Sequence, residues 1–231
     1  MIPIGDNTPR RRLPIVTWAI ILLNVLVWLY EVRLPEQSLN QFIGLFGATP
    51  ARFFSGDVSA FITIFTSMFI HSSWMHIIGN MLYLFIFGDN VEDRLGHVLY
   101  LIFYLAGGFA ALVLQTLVNP GSNVPMVGAS GAIAAVLGAY LVLFPGQRVK
   151  TLVIFVGIVR VAYLPAIIML GLWFVTQLFS GFAAITQTSA SAGGVAFFAH
   201  IGGFIFGALA GLIARAVDGG NQAVVTERHW N

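Results

Sequence analysis

Apolar residues fill this chain in six long blocks, separated by joints that carry its charged residues or are rich in glycine, proline and serine. The blocks run from about Leu13 to Tyr30, Ser72 to Gly88, Val98 to Val118, Ser130 to Phe144, Pro165 to Phe182 and Gly194 to Val217. A helix crossing the hydrocarbon core of a bilayer needs about 20 mostly apolar residues, so the pattern predicts six spanning helices. Two further apolar stretches do not fit that role. "FITIFTSMFI" (Phe61–Ile70) is short and predicts an outer-leaflet or interfacial segment, and "VKTLVIFVGIVR", bracketed by Lys150 and Arg160, predicts another. The first block follows Arg10, Arg11 and Arg12. It is longer than the apolar core of a secretion signal and has no small-residue cleavage site, so it is expected to be retained as a span.

Composition fits the pattern. The chain is 58% hydrophobic and 9% charged, against roughly 25% charged residues in ordinary soluble domains. Residues 13–217 are expected to form one membrane domain, with residues 1–12 and 218–231 as short cytoplasmic tails. With no cysteine, disulfides, thiolate metal sites and cysteine nucleophiles are excluded. A net charge of +2 is small for a nucleic-acid binder, and the basic residues are better explained by membrane orientation. Lysine and arginine favour the cytoplasmic side. With the N-terminus inside, Arg10, Arg11, Arg12, Arg94, Arg148, Lys150, Arg160, Arg215 and Arg228 fall there, leaving Arg33 and Arg52 outside. The expected fold class is therefore an all-α integral membrane protein with six transmembrane helices and both termini cytoplasmic. In that topology "GDNVEDRLGH" is a short charged inner connection, while "NPGSNVP" and "TQTSASAGG" cap the outer side.

Polar residues inside spans are costly and tend to face the bundle interior or a wet cavity. His71, His76, Asn80, Ser130 and His200 stand out. His76 and Asn80 are four residues apart, hence one turn apart on one helix face. His200 shares a stripe with Gly203, Gly207 and Gly211, and Ser130 heads a stripe of Gly131, Ala135 and Gly138. Small residues at such spacing let helix backbones approach closely, so the fourth and sixth spans are expected to pack together and bring Ser130 to His200.

That pairing carries chemistry. A serine hydroxyl becomes a strong nucleophile when a base takes its proton, and neutral imidazole is the usual base near neutral pH. The free N–H groups at a helix start, with His76 and Asn80 as further donors, could hold a developing oxyanion. Gly128 and Gly131 would let the backbone turn into the helix and pack closely around the serine. No acidic residue lies near His200 along the outer halves of the spans, so the arrangement predicts a dyad. Each feature also has a plainer reading: "GASG" as helix packing, His76 with Asn80 as interhelical glue, and His71 as a structural hydrogen-bonder. His97 and His229 fall in cytoplasmic segments.

Taken in order, "HSSWMHIIGN", "EDRLG", "GASG" and "AHIGGFIFG", spread over about Phe61 to Val217, resemble the rhomboid family of intramembrane serine proteases. The resemblance implies a six-helix rhomboid-like bundle, Ser130 as nucleophile, His200 as general base and acid, and His76 and Asn80 as oxyanion donors beside the Ser130 backbone. It implies transmembrane proteins as substrates, membrane lipids as surroundings, and neither metal nor cofactor. A prokaryotic plasma membrane is the expected location, with the site opening to its outer face. There are two departures from the family pattern. Ile62 and Thr63 stand where many members carry a Trp-Arg pair, and Ala134 stands where some members support the imidazole with a tyrosine. What holds His200 in place is therefore left open, as are oligomeric state, substrate and cleavage motif. Two rival readings are a noncatalytic rhomboid-like protein that binds membrane clients and a small transporter using His76, Asn80 and His200 as a polar path. The first typically lacks the serine or histidine, and the second lacks a polar path through the inner half.

Overall fold

The structure, a computed structural model, describes residues 1–9, 11–155, 158–186 and 196–228. Arg10, His229 and the "TQTSASAGG" loop after Thr186, including Gly194 at the expected start of the last span, lie outside the described residues. Each of the six apolar blocks has its helix: α1 (Ile15–Glu31), α4 (Trp74–Leu95), α5 (His97–Val118), α6 (Ser130–Leu143), α7 (Ala166–Thr186) and α8 (Phe197–Arg228). Between α1 and α4 lie α2 (Glu36–Phe46), α3 (Thr63–Thr66) and short 3₁₀ turns. By length and composition, α5 and the Phe197–Val217 part of α8 can cross a bilayer. The Val58–Phe69 pieces and α4, bent by 80° at their junction, also qualify as a pair, whereas α1, α6 and Ala166–Gly181 are apolar but shorter. "FITIFTSMFI" is thus no span of its own. It turns across the end of α4 and sends Met68 into the core, where a side chain at Gly108 would collide with it.

The architecture is a helical membrane bundle with α6 at its centre. Residues Gly131 to Tyr140 of α6 are buried without a break, as expected of a helix that is apolar on every face. Helices α4, α5, α7 and α8 pack around it. The outer faces are apolar too: Leu22, Ile102, Phe109, Leu172, Phe179 and Leu209 are all exposed. Such a surface suits hydrocarbon rather than water.

Glycines set the distance between α6 and α8. A Cβ on Gly203 would strike the Gly131 carbonyl oxygen, one on Gly207 the Ala135 carbonyl, and one on Gly138 the Phe204 carbonyl. The two backbones are in contact along the stripes. On another side α6 meets α5, where a Cβ on Gly131 would come within 2.6 Å of the Ala111 Cβ. Gly131 lies within regular helix, so its smallness is needed for packing on two neighbours rather than for the turn into α6.

At the end of the bundle away from the α6 N-terminus, the structure adds an element that the apolar pattern did not predict. Strands β1 (Ile2–Asp6), β2 (Arg148–Phe155) and β3 (Ile158–Pro165) form an antiparallel sheet in the order β1-β2-β3. The hairpin is built by "VKTLVIFVGIVR", whose β-branched residues favour strands, with Thr151 opposite Ala162 and Leu152 opposite Val161. The stretch expected as a short cytoplasmic tail pairs with it, Ile2 opposite Leu152 and Asp6 opposite Val149. Asp6 fastens the sheet to the bundle by accepting from the Tyr140 hydroxyl at 2.5 Å and from Asn90 at 3.0 Å.

The expected connection "GDNVEDRLGH" is mostly helix, since α4 continues to Leu95 and Gly96 alone joins it to α5. Glu92 is buried because the start of α1 needs an acceptor. Its carboxylate receives the N–H groups of Val16 and Thr17 at 2.9 and 2.7 Å and the Thr17 hydroxyl at 2.7 Å. These are helix-start donors that have no intrahelical partner. His97, expected only as part of a cytoplasmic segment, lies with Nδ1 2.6 Å from Glu92 Oε1.

Candidate active site

The site forms where the starts of α4, α6 and α8 meet. Ser73 caps α4, its hydroxyl accepting from the His76 N–H at 3.2 Å, which fixes His76 in the first turn. Asn80 follows one turn later on the same face. At the head of α6, Gly128 has φ +118°, a backbone conformation that favours glycine. A Cβ there would also fall 2.6 Å from His76 Nε2, so conformation and space both demand glycine. The Gly128 N–H donates to the Ser67 carbonyl at 2.9 Å, tying this turn to the bent segment before α4. Ser130 is the first residue of α6, where backbone N–H groups lack intrahelical acceptors and the positive end of the helix dipole lies.

His200 sits in the first turn of α8. Its Nε2 lies 2.8 Å from Ser130 Oγ, across 70 residues of sequence. The closeness follows from the Gly203–Gly131 and Gly207–Ala135 backbone contacts just below. His76, Asn80, Ser130 and His200 all line one cavity of about 600 Å³, together with Ser72, Met75, Tyr83, Ile133 and Trp173 among others. Its walls are mainly apolar, with these polar groups at one place.

The remaining residues singled out in the sequence form a supporting layer. His71 is buried, with Nε2 2.9 Å from Asn80 Nδ2. The His71 backbone N–H reaches the buried Glu31 carboxylate at 3.2 Å. His71 and His76 meet edge to face with ring centres 5.0 Å apart, and Ser72 Oγ stands 3.2 Å from His76 Nδ1. His71 therefore holds Asn80 and does not line the cavity.

The site holds groups beyond those expected from the sequence. Gln177 and Trp173 of α7 also meet the imidazole. Gln177 Oε1 lies 2.8 Å from His200 Nδ1, and the Trp173 ring centre is 5.8 Å from that of His200. The signal was present: an amide and the Thr176 hydroxyl stand side by side in a mostly apolar span. Gln115, also not among the expected groups, accepts with its side chain from the Ala199 N–H at 3.2 Å and so caps the start of α8.

Comparison with known proteins decides the lineage. The family described as Rhomboid domain matches residues 58–217, which takes in α3 to α7, the first part of α8, and His71, His76, Asn80, Ser130, Gln177 and His200. The chain belongs to the rhomboid family. It is 28% identical over 128 residues to Rhomboid-like protein 11, chloroplastic, of Arabidopsis thaliana, covering 55% of this chain and 41% of that one. It is 34% identical over 96 residues to Rhomboid protein 1, mitochondrial, of Saccharomyces cerevisiae, covering 40% and 28%. YdcA of Bacillus subtilis, provisionally named a rhomboid protease, is 29% identical over 142 residues, covering 60% and 68%. The matches span less than half the length of the plant and yeast rhomboid relatives. Family membership and the exposed apolar helices together make this an integral membrane protein.

Proposed function

We propose that this rhomboid-family chain is an intramembrane serine endopeptidase that cuts transmembrane proteins within or beside a membrane-spanning segment. The observation that carries the reading is the 2.8 Å approach of Ser130 Oγ to His200 Nε2 in a cavity shared with His76 and Asn80. A substrate segment unwinds to present a carbonyl, since a helical peptide bond is wrapped by its own backbone. Ser130 Oγ attacks the carbonyl carbon while its proton passes to His200 Nε2. The oxyanion is met by the Ser130 N–H and by His76 and Asn80, fixed donors that act most strongly where water is scarce. As the tetrahedral intermediate collapses, the C–N bond breaks and His200 returns the proton to the leaving amine. A water, deprotonated by His200, then attacks the ester; the C–Oγ bond breaks and the proton restores the Ser130 hydroxyl. Every step uses groups of this chain.

The topology proposed with it has six spans and both termini cytoplasmic, so the cavity opens toward the outer face. A prokaryotic plasma membrane is the proposed setting. The test is cleavage of a panel of single-span proteins, co-reconstituted with the chain in liposomes. Cleavage by wild type, and none by Ser130→Ala or His200→Ala, supports the reading. Equal turnover in all three sinks it, and absence of cleavage in all favours the client-binding alternative.

A further inference from the structure

His200 can take the Ser130 proton only if Nε2 carries a lone pair, and in a neutral imidazole that places the hydrogen on Nδ1. A donor left without an acceptor inside an apolar bundle is costly, so the choice of tautomer depends on what faces Nδ1. In a triad this would be a carboxylate. Here the group facing it is a neutral amide, Gln177 Oε1 at 2.8 Å.

Gln177 and Trp173 are four residues apart on α7 and so share a face. Both meet the same imidazole, Trp173 with its ring tilted 38° to that of His200 and Gln177 end-on. The amide is oriented by its surroundings. Its nitrogen lies 3.5 Å from Thr176 Oγ1, and that hydroxyl itself donates to the Trp173 carbonyl at 2.6 Å. With the nitrogen turned to Thr176, the oxygen is left for His200. The position four residues after Ser130, where some rhomboid-family members carry a supporting tyrosine, is Ala134, fully buried in α6.

We infer that Gln177 is the positioning residue of the His200 base, holding the hydrogen on Nδ1 so that Nε2 faces Ser130 as an acceptor. The inference rests on the protease reading for its kinetic consequence, but not for its structural one. It assigns the support of the imidazole to α7, a different helix from those carrying the nucleophile and the base.

Two measurements test it on the full chain in lipid nanodiscs. The first is ¹⁵N NMR with labelled histidine in a Ser130→Ala background above neutral pH, the His200 signals being assigned by their loss in His200→Ala. The Nδ1-protonated form is expected to dominate. Adding Gln177→Leu, similar in size but without an acceptor, is expected to raise the Nε2-protonated form to a comparable population. An unchanged tautomer overturns the inference. The second is kinetic: Gln177→Leu is expected to lower kcat about tenfold or more with KM nearly unchanged, and Gln177→Glu, which keeps the acceptor, to retain kcat within about threefold. Equal losses in the two variants, or a loss carried by KM, would make Gln177 a packing residue and overturn its role. If wild type cleaves nothing, the protease reading falls while the tautomer measurement still decides this one.

Discussion

Gly207 of α8 rests against the carbonyl oxygen of Ala135 in α6, and one turn earlier Gly203 rests against the carbonyl of Gly131. These contacts hold two backbones at a spacing that no larger residue permits, and they lie directly below Ser130 and His200. The serine and the histidine meet because the helices beneath them do.

A side chain at Gly207 should therefore act on the site from a distance. Gly207→Leu is expected to force α8 off α6, lowering cleavage about tenfold or more and reducing thermal stability, since overpacking of a filled core is destabilising. Gly171→Ala is the control, because a Cβ at Gly171 meets nothing within 4 Å. It should leave activity and melting temperature nearly unchanged. Loss in both, or in neither, would contradict the backbone-contact account.

Asn80 has a different expected signature. Its amide faces the cavity and is held by His71 Nε2 at 2.9 Å. If it donates to the oxyanion, Asn80→Ala should reduce kcat about 10²- to 10³-fold with KM little altered, the usual size of one lost donor. His71→Ala should reduce kcat by less, since it only frees Asn80 to turn. Steady-state kinetics on one transmembrane substrate separates these outcomes from a general loss of binding.

The opposite end of the molecule should be separable from the chemistry. Glu92→Ala removes the acceptor for two backbone N–H groups and the Thr17 hydroxyl. Leaving buried donors unpaired is destabilising, so the melting temperature should fall by about 5 °C or more. The kcat of the protein that remains folded should be close to wild type.

The helices and the site were legible in the sequence to different depths, for physical reasons. Apolar blocks found all six long helices, because a span must be apolar over its whole length. The stripe through His200, Gly203 and Gly207 foretold the α6–α8 contact, because only small residues allow it. The β-hairpin was hidden by the same rule that found the helices: Leu152, Val153 and Ile154 read as one more apolar run until their β-branched neighbours are weighed. Glu92 looked like a solvated loop charge because its partners, Val16 and Thr17, are backbone groups about 75 residues away. Gln177 does not stand out in the sequence because an amide in a span carries no charge, and its partner is fixed only by tertiary packing.

Orientation can be measured on a chain that has no cysteine of its own. Asn123→Cys, in the exposed loop before α6, and Arg160→Cys, exposed on β3, should lie on opposite sides. A membrane-impermeant maleimide added to intact cells is expected to label the first and spare the second. The reverse pattern would invert the topology and place the cavity on the inner face.

The proposed chemistry requires Ser130 to be a nucleophile made reactive by His200. The direct measurement is labelling of the purified protein by a fluorophosphonate probe, with the adduct mapped by mass spectrometry. A single adduct on Ser130, absent in Ser130→Ala and lost or greatly slowed in His200→Ala, is the predicted result. An unlabelled wild type, or labelling that survives unchanged in His200→Ala, would contradict it.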